Sequence, residues 1–168
     1  MRWIIDLNDD QPLALAWAPE FLAEFDLSLL AWIRIDRGRG KYRGAYGRCW
    51  FPTRSIPFYR ISCQVPGPFP CDIVTRKPPL YLQPNGKFLK APAGTRKGEH
   101  IRDERSGREW IRVTGKTRLQ SLDEGIVWVL AHEAFHFLRR TKQIPGRNTE
   151  IQADQFGDDT LLFFRTGR

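Results

Sequence analysis

Cysteine is scarce in this chain, with three residues in 168, namely Cys49, Cys63 and Cys71. Their number is odd and no C-x-x-C spacing occurs, which argues against a disulfide framework. We therefore expect free thiols that fill the core of a protein in a reducing compartment. Metal ligation by cysteine is the alternative, because thiolates are common zinc ligands.

Long apolar runs are also missing. No segment approaches the roughly 20 apolar residues that a membrane-spanning helix needs. The N-terminal sequence MRWIIDLNDD lacks the charged segment, apolar run and small-residue cleavage site of a signal peptide. We therefore expect a cytoplasmic protein, or one released without a classical signal, that has no membrane partner.

Acidic residues become sparse after the first fifth of the chain. Residues 1–36 contain two basic and seven acidic groups, a net charge of −5, whereas the remaining residues contain 25 basic and 12 acidic groups, a net charge of +13. This division suggests an acidic N-terminal segment that lies on or near a basic body. A basic surface can bind polyanions by releasing counterions, which makes nucleic acid a candidate partner. The alternative is solubility, because the basic residues are scattered through turns such as 37–41.

Histidine is as rare as cysteine, yet two of the three histidines stand in the run His132-Glu133-Ala134-Phe135-His136. Two histidines four residues apart share one face of a helix, so both imidazoles can bind one metal ion. Glu133 stands beside them, where it can take a proton from a water activated by the metal. This H-E-x-x-H motif is typical of zinc-dependent hydrolases.

The residues around the motif predict a buried helix from Asp123 to Arg140. Ser121 or Asp123 can cap its start, and arginines occupy its last turn. A mostly apolar helix that carries two histidines and a glutamate needs partners for those polar groups, and a metal would satisfy them together. The alternative is that His132 and His136 are hydrogen-bonded core residues and that Glu133 is a surface charge.

A catalytic zinc site usually has three protein ligands, so a third is needed outside the motif. Glu150 is the best candidate, because Asn148 or Thr149 can cap a second helix that runs to about Phe164. The seven residues 142–148 can span roughly 23 Å, enough to return the first turn of that helix to the metal. Alternatively, Glu150 is an acid favoured by the helix dipole.

The pattern H-E-x-x-H followed by E-x-x-x-D resembles that of the gluzincin metallopeptidases. The resemblance implies that Glu150 is the third zinc ligand. It also implies that Asp154, which does not bind the metal itself, accepts the ring N–H of His132. The stretch EIQADQFG is similar to the second motif of small cytoplasmic zinc peptidases of the ImmA/IrrE type. The resemblance as a whole covers residues 123–164. The short gap between the two motifs resembles that of single-domain minigluzincins.

Two other families of zinc peptidases fit less well. The metzincin pattern requires glycine at position 139 and histidine at position 142, where this chain has Arg139 and Lys142. The SprT-type peptidases normally use a third histidine, and no histidine follows His136.

The whole chain, residues 1–168, is expected to form one α+β, zincin-like metallopeptidase domain. It would comprise an acidic N-terminal segment with a helix (1–36), a strand-rich basic region (37–118) and the metal-binding helices (119–168). In this fold a small mixed sheet accompanies the N-terminal helix, the H-E-x-x-H helix and the C-terminal helix that carries the glutamate ligand. The pattern predicts a helix over 19–32, a hairpin or mobile loop over 87–118, and strands at 3–7, 42–51, 55–65, 79–82 and 109–113. We expect 55–65 to be the edge strand beside the metal, where it would pair with a peptide substrate.

These features predict a Zn²⁺-dependent metallopeptidase that acts on peptide or protein substrates, with Glu133 as general base and then as proton donor to the leaving amine. Residues of a suitable type to stabilise the oxyanion are His100, Tyr42, Tyr46, Tyr59 and Tyr81. The alternative is a nucleic-acid- or protein-binding module in which the same scaffold keeps a structural metal.

Overall fold

A computed structural model describes residues 1–7, 11–37 and 46–167. The fold is a mixed α+β arrangement, which confirms the predicted class. Its elements, in chain order, are β1 (Arg2–Asp6), α1 (Ala14–Leu22), β2 (Leu30–Arg37), β3 (Gly47–Trp50), β4 (Tyr59–Val65), β5 (Cys71–Tyr81), β6 (Arg96–Arg102), β7 (Glu109–Leu119), α2 (Leu122–Arg140) and α3 (Glu150–Thr166).

The chain forms two compact units. The first comprises residues 1–71 and 119–168, and the second comprises residues 72–118. The first unit contains all three described helices and a four-stranded sheet, and the second contains a three-stranded sheet. The expectation that residues 1–168 form a single domain stays a prediction.

The sheet of the first unit has the strand order β1-β2-β4-β3. Strands β1, β2 and β4 are parallel, and β3 is antiparallel to β4, so the sheet is mixed as predicted. The prediction that residues 55–65 form the edge strand is wrong, because β4 has a neighbour on each side. Its five consecutive buried residues, 61–65, are typical of a central strand. The strands at the two edges of this sheet are β1 and β3. The rest of the predicted strand 42–51 lies partly outside the described residues.

The helix predicted over residues 19–32 is also wrong in its position. The helix α1 begins at Ala14 and contains Pro19, and residues from Leu30 onward belong to β2. The side chain of the residue before α1, Leu13, makes no capping hydrogen bond; instead Oδ1 of Asp123 accepts the N–H of Ala14 at 2.7 Å. A distant carboxylate therefore provides the cap that the local sequence lacks.

Both helices predicted near the C-terminus are present. In α2, Ser121 is the N-cap and its hydroxyl accepts the N–H of Glu124, whereas Asp123 serves α1. In α3, Thr149 is the N-cap and its hydroxyl accepts the N–H of Gln152. Residues 125–135 of α2 are all buried, so this helix forms the centre of the first unit.

The second unit is a sheet of order β5-β7-β6, in which β6 and β7 form an antiparallel hairpin. The hairpin alternative for residues 87–118 is therefore correct. The strands predicted at 79–82 and 109–113 are parts of the longer β5 and β7. The turn between β6 and β7 is closed by Asp103, whose carboxylate accepts hydrogen bonds from Arg105 and Ser106.

Two further predictions concern cysteines and membranes. No disulfide joins the three cysteines, as their odd number predicted; Cys49 and Cys63 are buried and Cys71 is half-buried. No helix within the described ranges is long and apolar enough to cross a membrane.

The start of α2 is joined to the end of α3 by Glu124. Its carboxylate accepts hydrogen bonds from Nε and Nη2 of Arg165, at 2.9 and 2.6 Å, and from the N–H of Gln120 at 2.7 Å. The hydrogen bonds from Arg165 hold the pKa of Glu124 below its ordinary value of 4.5. A carboxyl whose pKa is lower in the folded state than in the unfolded state stabilises the folded protein at pH values above the unfolded pKa. This stabilisation is lost as the pH falls through the folded pKa.

We expect Glu124→Gln to lower the free energy of unfolding by about 1–2 kcal/mol at pH 7, because charge-assisted hydrogen bonds are lost. Urea denaturation at pH 7 and at about pH 3 measures the effect, and the difference from wild type should shrink at the lower pH. The control is Glu20→Gln, which removes one exposed carboxylate from α1. An equal loss in both variants at pH 7 would contradict a specific contribution from Glu124.

Candidate metal centre

Helices α2 and α3 run antiparallel and bring the two predicted motifs together. Glu124 near the start of α2 contacts Arg165 near the end of α3, and His136 near the end of α2 contacts Glu150 at the start of α3. The intervening segment, residues 141–149, makes the reversal. Because the N-cap Thr149 precedes Glu150, the candidate ligand lies in the first turn of α3.

The three predicted ligands meet at this end of the helix pair. Nε2 of His132 lies 3.6 Å from Oε2 of Glu150, and Nε2 of His136 lies 3.5 Å from Oε1 of the same carboxylate. One ligand atom from each of the three residues can be chosen so that all lie within 4.8 Å of one another. This group can hold a metal ion. Two imidazole nitrogens and one carboxylate oxygen are a donor set typical of catalytic zinc sites.

Both imidazoles are also contacted from behind, at the nitrogen that faces away from Glu150. Oδ1 of Asp154 lies 3.0 Å from Nδ1 of His132. Oδ1 of Asn148 lies 2.7 Å from Nδ1 of His136. Such contacts fix the ring tautomer and orientation, leaving Nε2 for a metal.

The side chain of Asp154 is 4% exposed, and its predicted role as acceptor of the His132 ring N–H stays a prediction. The role of Asn148 was missed, because the sequence predicted either Asn148 or Thr149 as the helix cap. Thr149 is the cap, so the Asn148 side chain is available to His136. The signal in the sequence was two capping residues in succession immediately before a candidate ligand.

Trp128, one helical turn before His132, supports that ring from a third side. Its ring centroid lies 5.2 Å from that of His132, and its indole N–H donates to Asp158 at 2.9 Å. A Cβ atom at Gly157 would lie 2.9 Å from the indole, so the close approach of α3 requires glycine there. The spacing of Trp128, four residues before His132, was the signal available in the sequence.

Glu133 lies on the side of α2 that faces the sheet, and it is 5% exposed. The backbone N–H of Cys49 in β3 donates to its carboxylate. A Cβ atom at Gly47 would lie 2.7 Å from both Cγ and Oε1 of Glu133, and 2.9 Å from the carbonyl oxygen of Ser62. The edge strand β3 therefore lies directly against the candidate general base, and glycine at position 47 makes the approach possible.

Burial and neighbouring charges alter the pKa values of all three motif residues in the metal-free protein. Burial, with the Glu150 carboxylate, raises the pKa of Glu133 to about 7 against the opposing charge of His132. Burial alone would lower the pKa of His132, but the carboxylates of Asp154, Glu150 and Glu133 raise it to about 9. Burial lowers the pKa of His136. Metal binding at neutral pH must therefore displace a proton from His132.

The candidates for oxyanion stabilisation are distributed over both units. Tyr46, which is half-buried, immediately precedes Gly47, and Tyr59 packs edge-on against Phe137 at a centroid distance of 5.2 Å. His100 and Tyr81 belong to the second unit. Tyr42 lies outside the described residues. The role of these residues stays a prediction.

Comparison of the chain with models of protein families, with curated proteins and with solved structures found no match.

Proposed function

We propose that this protein is a zinc-dependent peptidase with a minimal zincin-like site, in which His132, His136 and Glu150 hold the metal and Glu133 is the general base. The observation that carries the proposal is the convergence of the three ligand atoms within 4.8 Å at the end of one helix pair. Zinc is the proposed ion because the donor set and the contacts behind both imidazoles match its preferences.

A catalytic metal fits the described residues better than a structural one. Structural zinc sites are closed by four protein ligands, whereas catalytic sites use three and leave a position for water or substrate. The described residues offer three ligating groups here, and the side chain of Glu150 is 50% exposed. The cluster is therefore open to solvent on one side, which favours an enzyme over a binding module with a buried metal.

Zinc bound at this site would supply a Lewis acid that polarises a peptide carbonyl and acidifies water. The other requirement is a base that can both accept and return a proton, and the buried carboxylate of Glu133, next to His132 in the sequence, is the candidate. We assign it removal of a proton from the attacking water and delivery of that proton to the leaving amine. The N–H of Cys49 holds the carboxylate in place for both transfers.

The edge strand β3 is the proposed site for the substrate backbone. It pairs with β4 on one side, and no other described strand pairs with it. An extended peptide can add to such an edge through main-chain hydrogen bonds. Because Gly47 and Cys49 of β3 contact Glu133, a peptide on this edge would lie close to the base.

Metal content tests the site itself. Elemental mass spectrometry of the purified protein, without added metal, should find near one zinc per chain, and His136→Ala should remove most of it because the tridentate site is lost. The matched control is His100→Ala, which replaces the remaining histidine, located in the second unit. A folded wild-type protein that neither contains zinc nor takes it up would overturn the proposal.

Replacement of the general base tests the chemistry. We expect Glu133→Gln to retain zinc and to slow hydrolysis of an unfolded protein such as casein by roughly 10²- to 10⁴-fold, because proton transfer is lost. Glu99→Gln in β6 is an exposed control of the same type. Cleavage by Glu133→Gln at the wild-type rate would rule out the assigned role.

Gly47→Ala tests the contact between the edge strand and the base. A methyl group 2.7 Å from Glu133 must displace that side chain, because the carbonyl of Ser62 blocks the other direction. We expect kcat to fall roughly tenfold to hundredfold while zinc content is unchanged, since small displacements of a catalytic group are costly. Gly67→Ala, where the nearest neighbour is 3.8 Å away, is the control. Equal turnover in the two variants would show that Glu133 tolerates the displacement.

A further inference from the structure

The sheet of the first unit carries a pocket on the face opposite the metal-binding helices. Its volume is about 230 Å³, and its lining includes Trp32, Arg34, Asp36, Trp50, Arg60 and Gln64. No motif in the sequence marks these residues as a site.

The alternation of side chains along the strands separates this pocket from the metal centre. In β3, Gly47 and Cys49 face α2, because both contact Glu133. Successive side chains of a strand point to opposite faces, so Arg48 and Trp50 face away from the helix. The register between strands places Arg60, Ser62 and Gln64 of β4 on that same outer face. Their partners in β2, Trp32, Arg34 and Asp36, also lie there.

One end of the pocket is aromatic and cationic. Trp32, Arg60 and Trp50 form a single row across β2, β4 and β3. The guanidinium groups of Arg48 and Arg60 lie 4.4 and 5.6 Å from the centroid of the Trp50 ring. Flat indole rings beside guanidinium groups can stack a planar ligand and attract an anion.

The other end of the pocket contains buried hydrogen-bonding groups that have no partner in the described part of the chain. Asp36 and Gln64 are register partners, and Gln64 is 7% exposed. Oε1 of Gln64 and Oδ1 of Asp36 at this end, and Nε of Arg60 at the aromatic end, are buried and lack hydrogen bonds. Burying such groups without partners is costly, and three of them around one pocket indicate a ligand that supplies two donors and one acceptor.

A ligand of this pocket must combine a planar ring, negative charge and hydrogen-bonding groups. We infer that this face binds a short segment of single-stranded nucleic acid. A base would stack at the tryptophan end, a phosphate would lie near the arginines, and amino groups of the adjacent nucleotide would donate to Gln64 and Asp36. The row of Trp50 and the row of Gln64 are four residues apart along β4, roughly 13 Å, which allows for two successive nucleotides.

Other kinds of ligand fit less well. A cation would be repelled by Arg34 and Arg60. The only carboxylate among the described residues of the lining, that of Asp36, already accepts a hydrogen bond from Arg34 at 2.8 Å. A purely apolar ligand would stack on the tryptophans but would leave all three orphaned polar atoms without partners.

The test is titration of the full chain with 12-residue oligonucleotides, followed by tryptophan fluorescence and fluorescence anisotropy. We expect quenching, an affinity that falls as salt is raised, and tighter binding of oligo-dC than of oligo-dT by several-fold, because thymine lacks an exocyclic amino group. Trp50→Ala should weaken binding roughly tenfold or more, and Trp50→Phe should restore most of it, because a stacking surface returns.

Gln64→Leu is the variant that separates recognition from folding. It removes an unsatisfied buried acceptor, so the resistance to urea should be unchanged or higher, while the preference for oligo-dC should disappear. The control for general loss of charge is Lys142→Asn, at the end of α2, where φ is 61° and asparagine is tolerated. This control should bind within twofold of wild type.

The measurements are made in the Glu133→Gln background with a chelator, so that the result is independent of the metal and of peptidase activity. The inference is overturned if no oligonucleotide binds at about 100 μM protein in low salt. It is equally overturned if Trp50→Ala and Gln64→Leu bind as Lys142→Asn does, or if free CMP binds as tightly as oligo-dC. Selective loss in the pocket variants, with full binding in the control, supports it.

Discussion

The first unit depends on one constraint, which is that a buried helix carrying two histidines and a glutamate must find partners for them. Residues 125–135 of α2 are buried without interruption, and His132 and Glu133 lie within that stretch. The partners come from elsewhere in the chain. Glu150 and Asp154 come from α3, and the N–H of Cys49 comes from β3. The polar groups of α2 therefore determine which surfaces of α3 and of the sheet lie against it.

The antiparallel pairing of α2 and α3 meets this constraint at both ends. At one end Arg165 and Glu124 form a bidentate ion pair, and at the other both imidazoles converge on the Glu150 carboxylate. Between them, Gly157 permits Trp128 to lie against α3 and beside His132. The metal-ligand geometry is thus supported by packing along the whole helix pair, and not by the loop alone.

The parts of the structure that sequence analysis predicted correctly are those set by local signals. The i, i+4 spacing of His132 and His136 and the caps at Ser121 and Thr149 act within one or two helical turns. The errors arose where distant residues decide the outcome. The start of α1 is capped by Asp123, 109 residues away, so no local signal marked Ala14 as the beginning of a helix. The edge position of β3 depends on which strands pair, a property of the whole sheet that no single strand encodes.

The contact of Gly47 with Glu133 was unpredictable for a related reason, because a glycine in a strand has several explanations until its neighbour is known.

The four-residue strand β3 shows how much one short segment can determine. Its odd-numbered residues, 47 and 49, fit against the candidate general base, whereas on the other face Trp50 lines the pocket and Arg48 lies over the Trp50 ring. Because the pleat keeps these two sets apart, a side chain on the outer face can change without entering the metal centre. A one-residue shift of β3 against β4 would instead place Arg48 against Glu133 and remove Trp50 from the row with Arg60, so the register of this strand fixes both surfaces at once.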